Sequence, residues 1–362
     1  MNVFTFMMKR LLPFTSGFGL FLIFMPLAIE WRGWWAWLPI AVVFVIVPIL
    51  DIFGGLSLWN PDAEAEGDLS ADRRFRALVC LWVPVAVAFT GWALVVAAAP
   101  GTSWLDRIGL ALSIGFMNGV IGITYAHELI HQPSRFEQLC GETLLVLVSY
   151  LHWRIEHVFG HHRWVATPRD PASSRLGEPI HAFYVRSVSG SFVSAWRLEC
   201  DRLERVSARK FGRHNRMLWY ALVTVSVYAL VFAATGPLGA LFFLVQGIVG
   251  FSSLEVINYV EHYGLQRREI APGRYETTRP QHSWNAGQRL SNAMLINLAR
   301  HSDHHAIASR RYQILRTFDE DRAPQLPQGY ATMFLVALVP PLWFRVMDPL
   351  VAKWNARQDV AA

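Results

Sequence analysis

Six apolar runs dominate the chain, near residues 11–29, 34–54, 77–99, 106–126, 217–235 and 238–260. An α-helix needs roughly 20 residues to cross a hydrocarbon core of about 30 Å, so the pattern predicts six membrane spans. The first run follows Lys9 and Arg10, as a signal peptide would, but it passes into Ile29, Glu30 and Trp31 without a small-residue cleavage site and is expected to stay attached. The polar intervals set the orientation. The hairpin 97–106 and the Gly236-Pro237 turn carry no Lys or Arg, whereas 152–216 carries twelve. By the positive-inside rule the basic side is cytoplasmic. Lys9, Arg10, Arg73, Arg74 and Arg76 then fall on the same side, the spans pair into three hairpins, and both ends of the chain are cytoplasmic, with Arg32 in an outer turn as the exception.

Composition agrees with a lipid solvent: 53% of positions are hydrophobic and only 17% charged, too much apolar surface for one water-soluble core. The formal charge of +6 belongs mostly to one face, and for most of these arginines the positive-inside bias is sufficient reason. Nothing in this charge calls for a nucleic-acid partner. Trp31, Trp34, Trp35 and Trp37 read as anchors at the membrane interface. The three cysteines, Cys80, Cys140 and Cys200, form no CxxC pair, which excludes a rubredoxin-like or zinc-ribbon module within these residues. Gly17-Phe18-Gly19 lies inside an apolar run with no strand-loop-helix pattern around it, so no dinucleotide-binding domain is expected.

The candidate chemistry lies in the histidines. Nine of thirteen fall in four short motifs: His127 and His131 in HELIH, His157, His161 and His162 in EHVFGHH, His262 in NYVEHYGL, and His301, His304 and His305 in HSDHH. On a helix, residues three or four apart share a face, so His127 with His131, His157 with His161, and His301 with His304 and His305 can each aim at one point. His162 is turned about 100° from His161 and is free to serve a second ion. HELIH ends the fourth run and His262 ends the sixth, both on the cytoplasmic side, and the other two motifs lie in the segments that follow. All four can meet at one depth. Imidazole binds iron, zinc, copper and nickel, so residue type alone does not choose the metal, but nine ligands overfill one ion and suffice for two. Glu128, Glu156, Glu261 and Asp303 each adjoin or neighbour a candidate ligand, and are expected to orient imidazoles by accepting their second ring N–H, with direct ligation by one of them open. His152, His181, His214 and His282 read as ordinary helix-end residues. No catalytic side chain is expected beyond the metal centre.

HELIH also satisfies HExxH, the zinc-protease signature, but that reading leaves six histidines without a role. A metal transporter would instead place its ligands at the bilayer midplane between broken helices. HELIH, EHVFGHH and HSDHH resemble the three histidine boxes of the membrane fatty acid desaturase and hydroxylase superfamily. NYVEHYGL, the run His161-His162-Arg163-Trp164-Val165-Ala166-Thr167-Pro168-Arg169-Asp170-Pro171-Ala172-Ser173, and Arg300-His301-Ser302-Asp303-His304-His305-Ala306 resemble its bacterial alkane 1-monooxygenase branch closely. The resemblance covers residues 127 to about 318; the first four spans match only as hydrophobic pattern. It implies an all-α, polytopic membrane protein of about six transmembrane helices, a single domain over 1–362 with cytoplasmic catalytic segments 127–216 and 261–362. It further implies two non-haem irons bound by the nine box histidines, in the bacterial inner membrane with the site facing the cytoplasm. The implied reaction is hydroxylation of a terminal methyl group of an n-alkane with O₂ and two electrons from rubredoxin, itself reduced by an NADH-dependent reductase. Two positions depart from the usual pattern: Gln132 where Lys commonly follows the first box, and Ala299 where Gln often precedes the Arg of the last. Relatives that hydroxylate methyl groups on aromatic rings share the general pattern and give the alternative substrate. An apolar substrate is expected to enter between spans two, three and four.

Overall fold

Helix starts in this chain are fixed by side chains that accept from the first free backbone N–H groups. Asp72 accepts from the amide of Arg74 at 2.9 Å, Ser103 from that of Asp106 at 3.1 Å and Asn215 from that of Met217 at 2.8 Å, and long helices begin immediately after each. The computed structural model describes residues 3–361, and side chains from Met7 to Gln358. Among the described residues five helices are long and apolar enough to cross a membrane: Met7–Trp31, Gly33–Gly54, Arg73–Ala98, Trp104–Ile130 and Arg216–His262. The last contains 47 residues but breaks at Gly236, which adopts φ 70° and ψ −168°. Glycine takes this conformation without a Cβ clash, and the following Pro237 has no N–H to leave unpaired. The two arms fold back on each other. The rings of Tyr228 and Phe243 stand 5.2 Å apart, whereas a straight helix would separate these residues by about 22 Å. The protein is therefore an all-α polytopic membrane protein, and its six spans follow the six apolar runs. Among the described residues the only sheet is a ribbon of Glu269–Ala271 against Arg274–Tyr275.

The three inter-span turns lie on one face. Gly33 N donates to Asp106 Oδ1 at 2.5 Å, joining the first turn to the start of span 4. A Cβ on Gly239, just past the third turn, would lie 3.4 Å from Leu94 near the end of span 3. Trp31, Trp34 and Trp35 are exposed at the first turn, as interface anchors would be. Trp37 is not: its indole turns inward over Gly109, so near that a Cβ there would sit 2.7 Å from Nε1. At the opposite face spans 4 and 6 end in His131 and His262, under a cap built from the helices Arg135–Leu147, Ile180–Arg205, Arg289–Met294, His301–Ala306, Tyr330–Ala337 and Pro340–Ala361.

Spans 4 and 6 carry the first and third motifs, and small residues let them approach closely, as between helices in lipid generally. A Cβ on Gly119 would come within 2.7 Å of the carbonyl oxygen of Gly250. Beside this contact Asn118 donates to Thr90 Oγ1 at 3.1 Å and Gln246 Oε1 at 3.0 Å, while Gln246 Nε2 donates to Leu147 O at 2.6 Å. Spans 3, 4 and 6 and the cap are thereby held in one register by bonds that have no competing water. Gly119→Ala should destabilise the protein by about 1–3 kcal/mol through overpacking. Gly91→Ala, at a helical position with open space around it, should be neutral or slightly stabilising. Thermal unfolding in detergent compares the two; equal melting temperatures would mean that the close approach carries no weight.

Candidate metal centre

The four motifs converge. His127 and His131 project from the last turn of span 4, and His262 closes span 6. The second motif folds as a short helix whose central residues, His157–His161, are π-helical, and the fourth is the helix His301–Ala306. The nine imidazoles sort into two groups: His127, His131, His157, His162 and His304 in one, and His161, His262, His301 and His305 in the other, with ring nitrogens within 4.8 Å of one another in each. His127 and His131 share a group, as their spacing predicts. His157 and His161 do not. The i→i+5 bonding of the π segment brings His157 over His162 and sends His161 to the second group, whereas a regular helix would have paired residues four apart. In the fourth motif His301 keeps company with His305, and His304 faces the first group. The other histidines join neither: His282 accepts from Arg279 N at 3.0 Å, His152 packs on Tyr150 with centroids 4.5 Å apart, and His181 and His214 are exposed.

The donor set fits bound metal ions. His157 Nε2 lies 2.7 Å from His127 Nε2, 3.0 Å from His131 Nε2 and 3.1 Å from His162 Nε2. A ring nitrogen carries either one hydrogen or one lone pair, so hydrogen bonding can satisfy one of these contacts but not three. A shared cation satisfies all of them. Two ligands at right angles on an ion at about 2.1 Å stand about 3.0 Å apart, which is the spacing seen here. In the second group His305 and His301 approach to 2.9 Å, and His301 and His262, like His161 and His305, to 3.3 Å. Burial, followed by the nearby His161 ring, pushes His131 down to about 3. It is neutral and ligand-competent at any ordinary pH.

The carboxylates arrange themselves differently from the sequence expectation. The one that orients an imidazole is Asp170, whose Oδ2 accepts from His161 Nδ1 at 2.9 Å and from Ser173 Oγ at 2.6 Å. It lies nine residues from its partner, beyond helical spacing, so adjacency could not find it; its place in the extended second motif was the only signal. Glu261 Oε2 stands 3.2 Å from His301 Nε2, on the inward-facing nitrogen, where a direct ligand would be. The other three face away from the imidazoles. Glu128 accepts from Gln132 Nε2 at 3.0 Å and lies 3.7 Å from Arg311, Glu156 accepts weakly from Ser194 at 3.4 Å, and both oxygens of Asp303 accept from Arg310, at 2.6 and 2.7 Å. The bonds of Glu128 remove the general base that a protease reading of HELIH requires.

A narrow cavity of about 80 Å³ reaches the groups from within the membrane region. Val43, Phe44 and Val47 of span 2, Gly119, Val120 and Ile123 of span 4, and Leu254 and Ile257 of span 6 form its walls, with Phe334 from the cap. Spans 2, 4 and 6 line it; span 3, expected to take part, does not. It ends on His127 and His157 of one group and His301 of the other. Trp153 closes the side of this end, its ring stacked on His157 at 4.2 Å.

Comparison with known proteins agrees with this arrangement. Residues 102–337 match the fatty acid desaturase family. Over 328 residues the chain is 44% identical to alkane 1-monooxygenase 2 of Pseudomonas aeruginosa, covering 90% of this chain and 86% of that one. It is 40% identical over 310 residues to the alkane 1-monooxygenase of Acinetobacter baylyi, covering 86% and 75%. The hydroxylase component of the xylene/toluene monooxygenase of Pseudomonas putida is more distant, 28% identical over 254 residues, covering 70% and 67%. The chain belongs to the alkane 1-monooxygenase family. It is thus a metal-binding oxidoreductase of the desaturase superfamily. In this alkane 1-monooxygenase family member the two sequence departures are absorbed locally. Gln132 donates to Glu128 beside Arg311, so a second cation is not needed there, and Ala299 is fully buried with its carbonyl accepting from Ala286 N at 2.9 Å. Asp170→Asn should weaken metal retention about 10–100-fold, since it removes the carboxylate that fixes the His161 ring. Asp303→Asn, which touches no imidazole, should retain metal. Metal content after dialysis against a chelator distinguishes them, and equal losses would put Asp170 outside the site's support.

Proposed function

We propose that this protein hydroxylates the terminal methyl group of n-alkanes with O₂ and two externally supplied electrons, at two non-haem irons held by the nine box histidines. The observation that carries this reading is a narrow apolar cavity that ends on histidines of both groups. Irons held there would supply the redox chemistry that activates O₂ and inserts one oxygen atom into a C–H bond, the other leaving as water with two protons. The protein's part is binding and orientation. Phe44, Val47, Ile123 and Phe334 exclude water and admit a hydrocarbon lengthwise, so that only its end reaches His127, His157 and His301. Secondary C–H bonds are weaker than those of a methyl group, so end selection must come from this confinement. The similarity to relatives named alkane 1-monooxygenase, at 40–44% against 28% for the xylene/toluene enzyme, favours an alkane over a methyl-substituted ring. On the positive-inside rule the twelve cations of 152–216 set the histidine face toward the cytoplasm, in the bacterial inner membrane.

Given octane under labelled O₂, the protein should yield the primary alcohol with one labelled oxygen. Gas chromatography showing chiefly 2- and 3-alcohols, or label drawn from water, would overturn terminal hydroxylation. Conversion of toluene or xylene with octane untouched would replace the substrate class.

The electron donor in this reading is a rubredoxin, reduced by its own NADH-dependent reductase. Of the arginines near the motifs, Arg310 and Arg311 are engaged by Asp303 and Glu137, which leaves Arg163, Arg169 and Arg175 exposed for an acidic partner. Arg163 and Arg169 flank Trp164, with guanidinium carbons 4.7 and 4.6 Å from its ring. Turnover with rubredoxin should therefore slow as salt shortens the Debye length from about 30 to 8 Å. Arg163→Glu with Arg169→Glu should abolish that dependence, and a parent rate indifferent to ionic strength would rule out this docking face.

A further inference from the structure

A second cavity, of about 490 Å³, opens where span 1 and the end of span 2 meet the cap. Lys9, Arg10, Arg289 and Arg300 line it, and no acidic residue does. These cations come from three separate segments, so the grouping is a product of the fold rather than of one basic run. Lys9 and Arg289 are exposed, and the guanidinium of Arg10 lies 3.4 Å from the centre of the Trp59 ring. Arg300 is only 4% exposed, and its hydrogen bonds go to neutral oxygens: Leu315 O at 2.5 Å, Ser57 O at 3.2 Å and Ser57 Oγ at 3.1 Å. Its Nε has no partner. Gln313, 3% exposed, donates Nε2 to Leu69 O at 3.0 Å, and its Oε1 likewise has no partner. Buried donors and acceptors are normally paired, yet an unused N–H and an unused carbonyl oxygen belong to two side chains of this one wall.

We propose that this cavity binds the headgroup of an anionic phospholipid. Its phosphodiester lies among the four cations, and a headgroup hydroxyl donates to Gln313 Oε1. The position suits a lipid rather than a soluble anion. Lys9 and Arg10 stand in the first turn of span 1, and Leu56 and Leu58, both exposed, follow directly on the end of span 2, giving acyl chains an apolar rim at the membrane boundary. Arg300 precedes His301, and through Ser57 and Leu315 it already links the exit of span 2 to the segment after the last motif. A bound phosphate would neutralise the one arginine in this link that no carboxylate pairs directly, tightening the support of the second histidine group from the lipid side.

The test uses the full-length, metal-loaded protein in a neutral detergent, titrated with phosphatidylglycerol, phosphatidylethanolamine, phosphatidylcholine or inorganic phosphate. Retained lipid is counted by native mass spectrometry and melting is followed in parallel. One phosphatidylglycerol should be retained per chain, at least about tenfold more tightly than phosphatidylcholine, and should raise the melting temperature. Each cation near a membrane surface contributes a factor of about five, so Lys9→Gln with Arg289→Gln should weaken retention about 25-fold while leaving metal content unchanged. In the unmodified protein, retention should fall as salt is raised. Equal retention of phosphatidylcholine, parent-like binding by the double variant, or indifference to salt would each overturn the site. The same stabilisation by inorganic phosphate at equal concentration would overturn its assignment to a lipid.

Discussion

The whole architecture is organised around one electrostatic problem: nine imidazoles crowded into one buried region, where His157 Nε2 alone meets three other ring nitrogens within 3.1 Å. Without a cation such crowding sets lone pair against lone pair. With one, the same contacts become a coordination shell, and the free energy of binding metal becomes free energy of folding. The requirement reaches outward from the rings. Four chain segments must end at one depth, and two of them are ends of membrane spans whose depth is set by packing within lipid. The approach of Gly119 to Gly250, and the buried bonds among Thr90, Asn118 and Gln246, therefore belong to the metal site as much as to the fold.

Much of this was legible in the sequence because it depends on quantities that sequence encodes directly. Apolar run length marked six spans, and Gly236-Pro237 marked the turn that converts one 47-residue helix into a hairpin. The meeting of the nine histidines at one depth followed from where their motifs stand beside the same runs. Their division did not follow, because it rests on a local departure from helical period. A single π segment over His157–His161 rotates one imidazole into the other group, and nothing in the residues FGH announces it. Carboxylates were misjudged for a related reason. Adjacency in sequence places Glu128, Asp303 and Glu156 next to ligands, yet neighbouring side chains on a helix point about 100° apart, so a residue beside a ligand tends to face elsewhere. Glu128 and Asp303 instead anchor the segment 310–316 through Arg311 and Arg310.

The same irregularity serves the cavity. Three π segments, Val42–Ile46, Met117–Gly122 and His157–His161, each contribute lining residues: Val43 and Phe44, Gly119 and Val120, and His157. A π turn widens a helix locally and re-aims the side chains that follow. Lipid-solvated backbone must stay hydrogen-bonded, so a membrane helix can open space beside itself more cheaply by a π turn than by unwinding. That explains how spans 2 and 4 stay continuous while a passage runs between them.

The two histidine groups cannot be adjusted independently. His161 and His162 are consecutive residues serving different groups, and so are His304 and His305. Consecutive Cα atoms lie about 3.8 Å apart by covalent geometry. The ring centroids of these pairs stand 5.9 and 5.7 Å apart, so the groups are tied at two points by the backbone itself. Asp170, by fixing the His161 ring, therefore also constrains the helix that presents His162 and His157 to the other group. Asp303 sits in the same short helix as His304 and His305 but turns to Arg310, away from the rings. A passage that ends on His127, His157 and His301 thus meets a centre whose two halves have a fixed spacing, which is the condition for a confined chain end to encounter both at once.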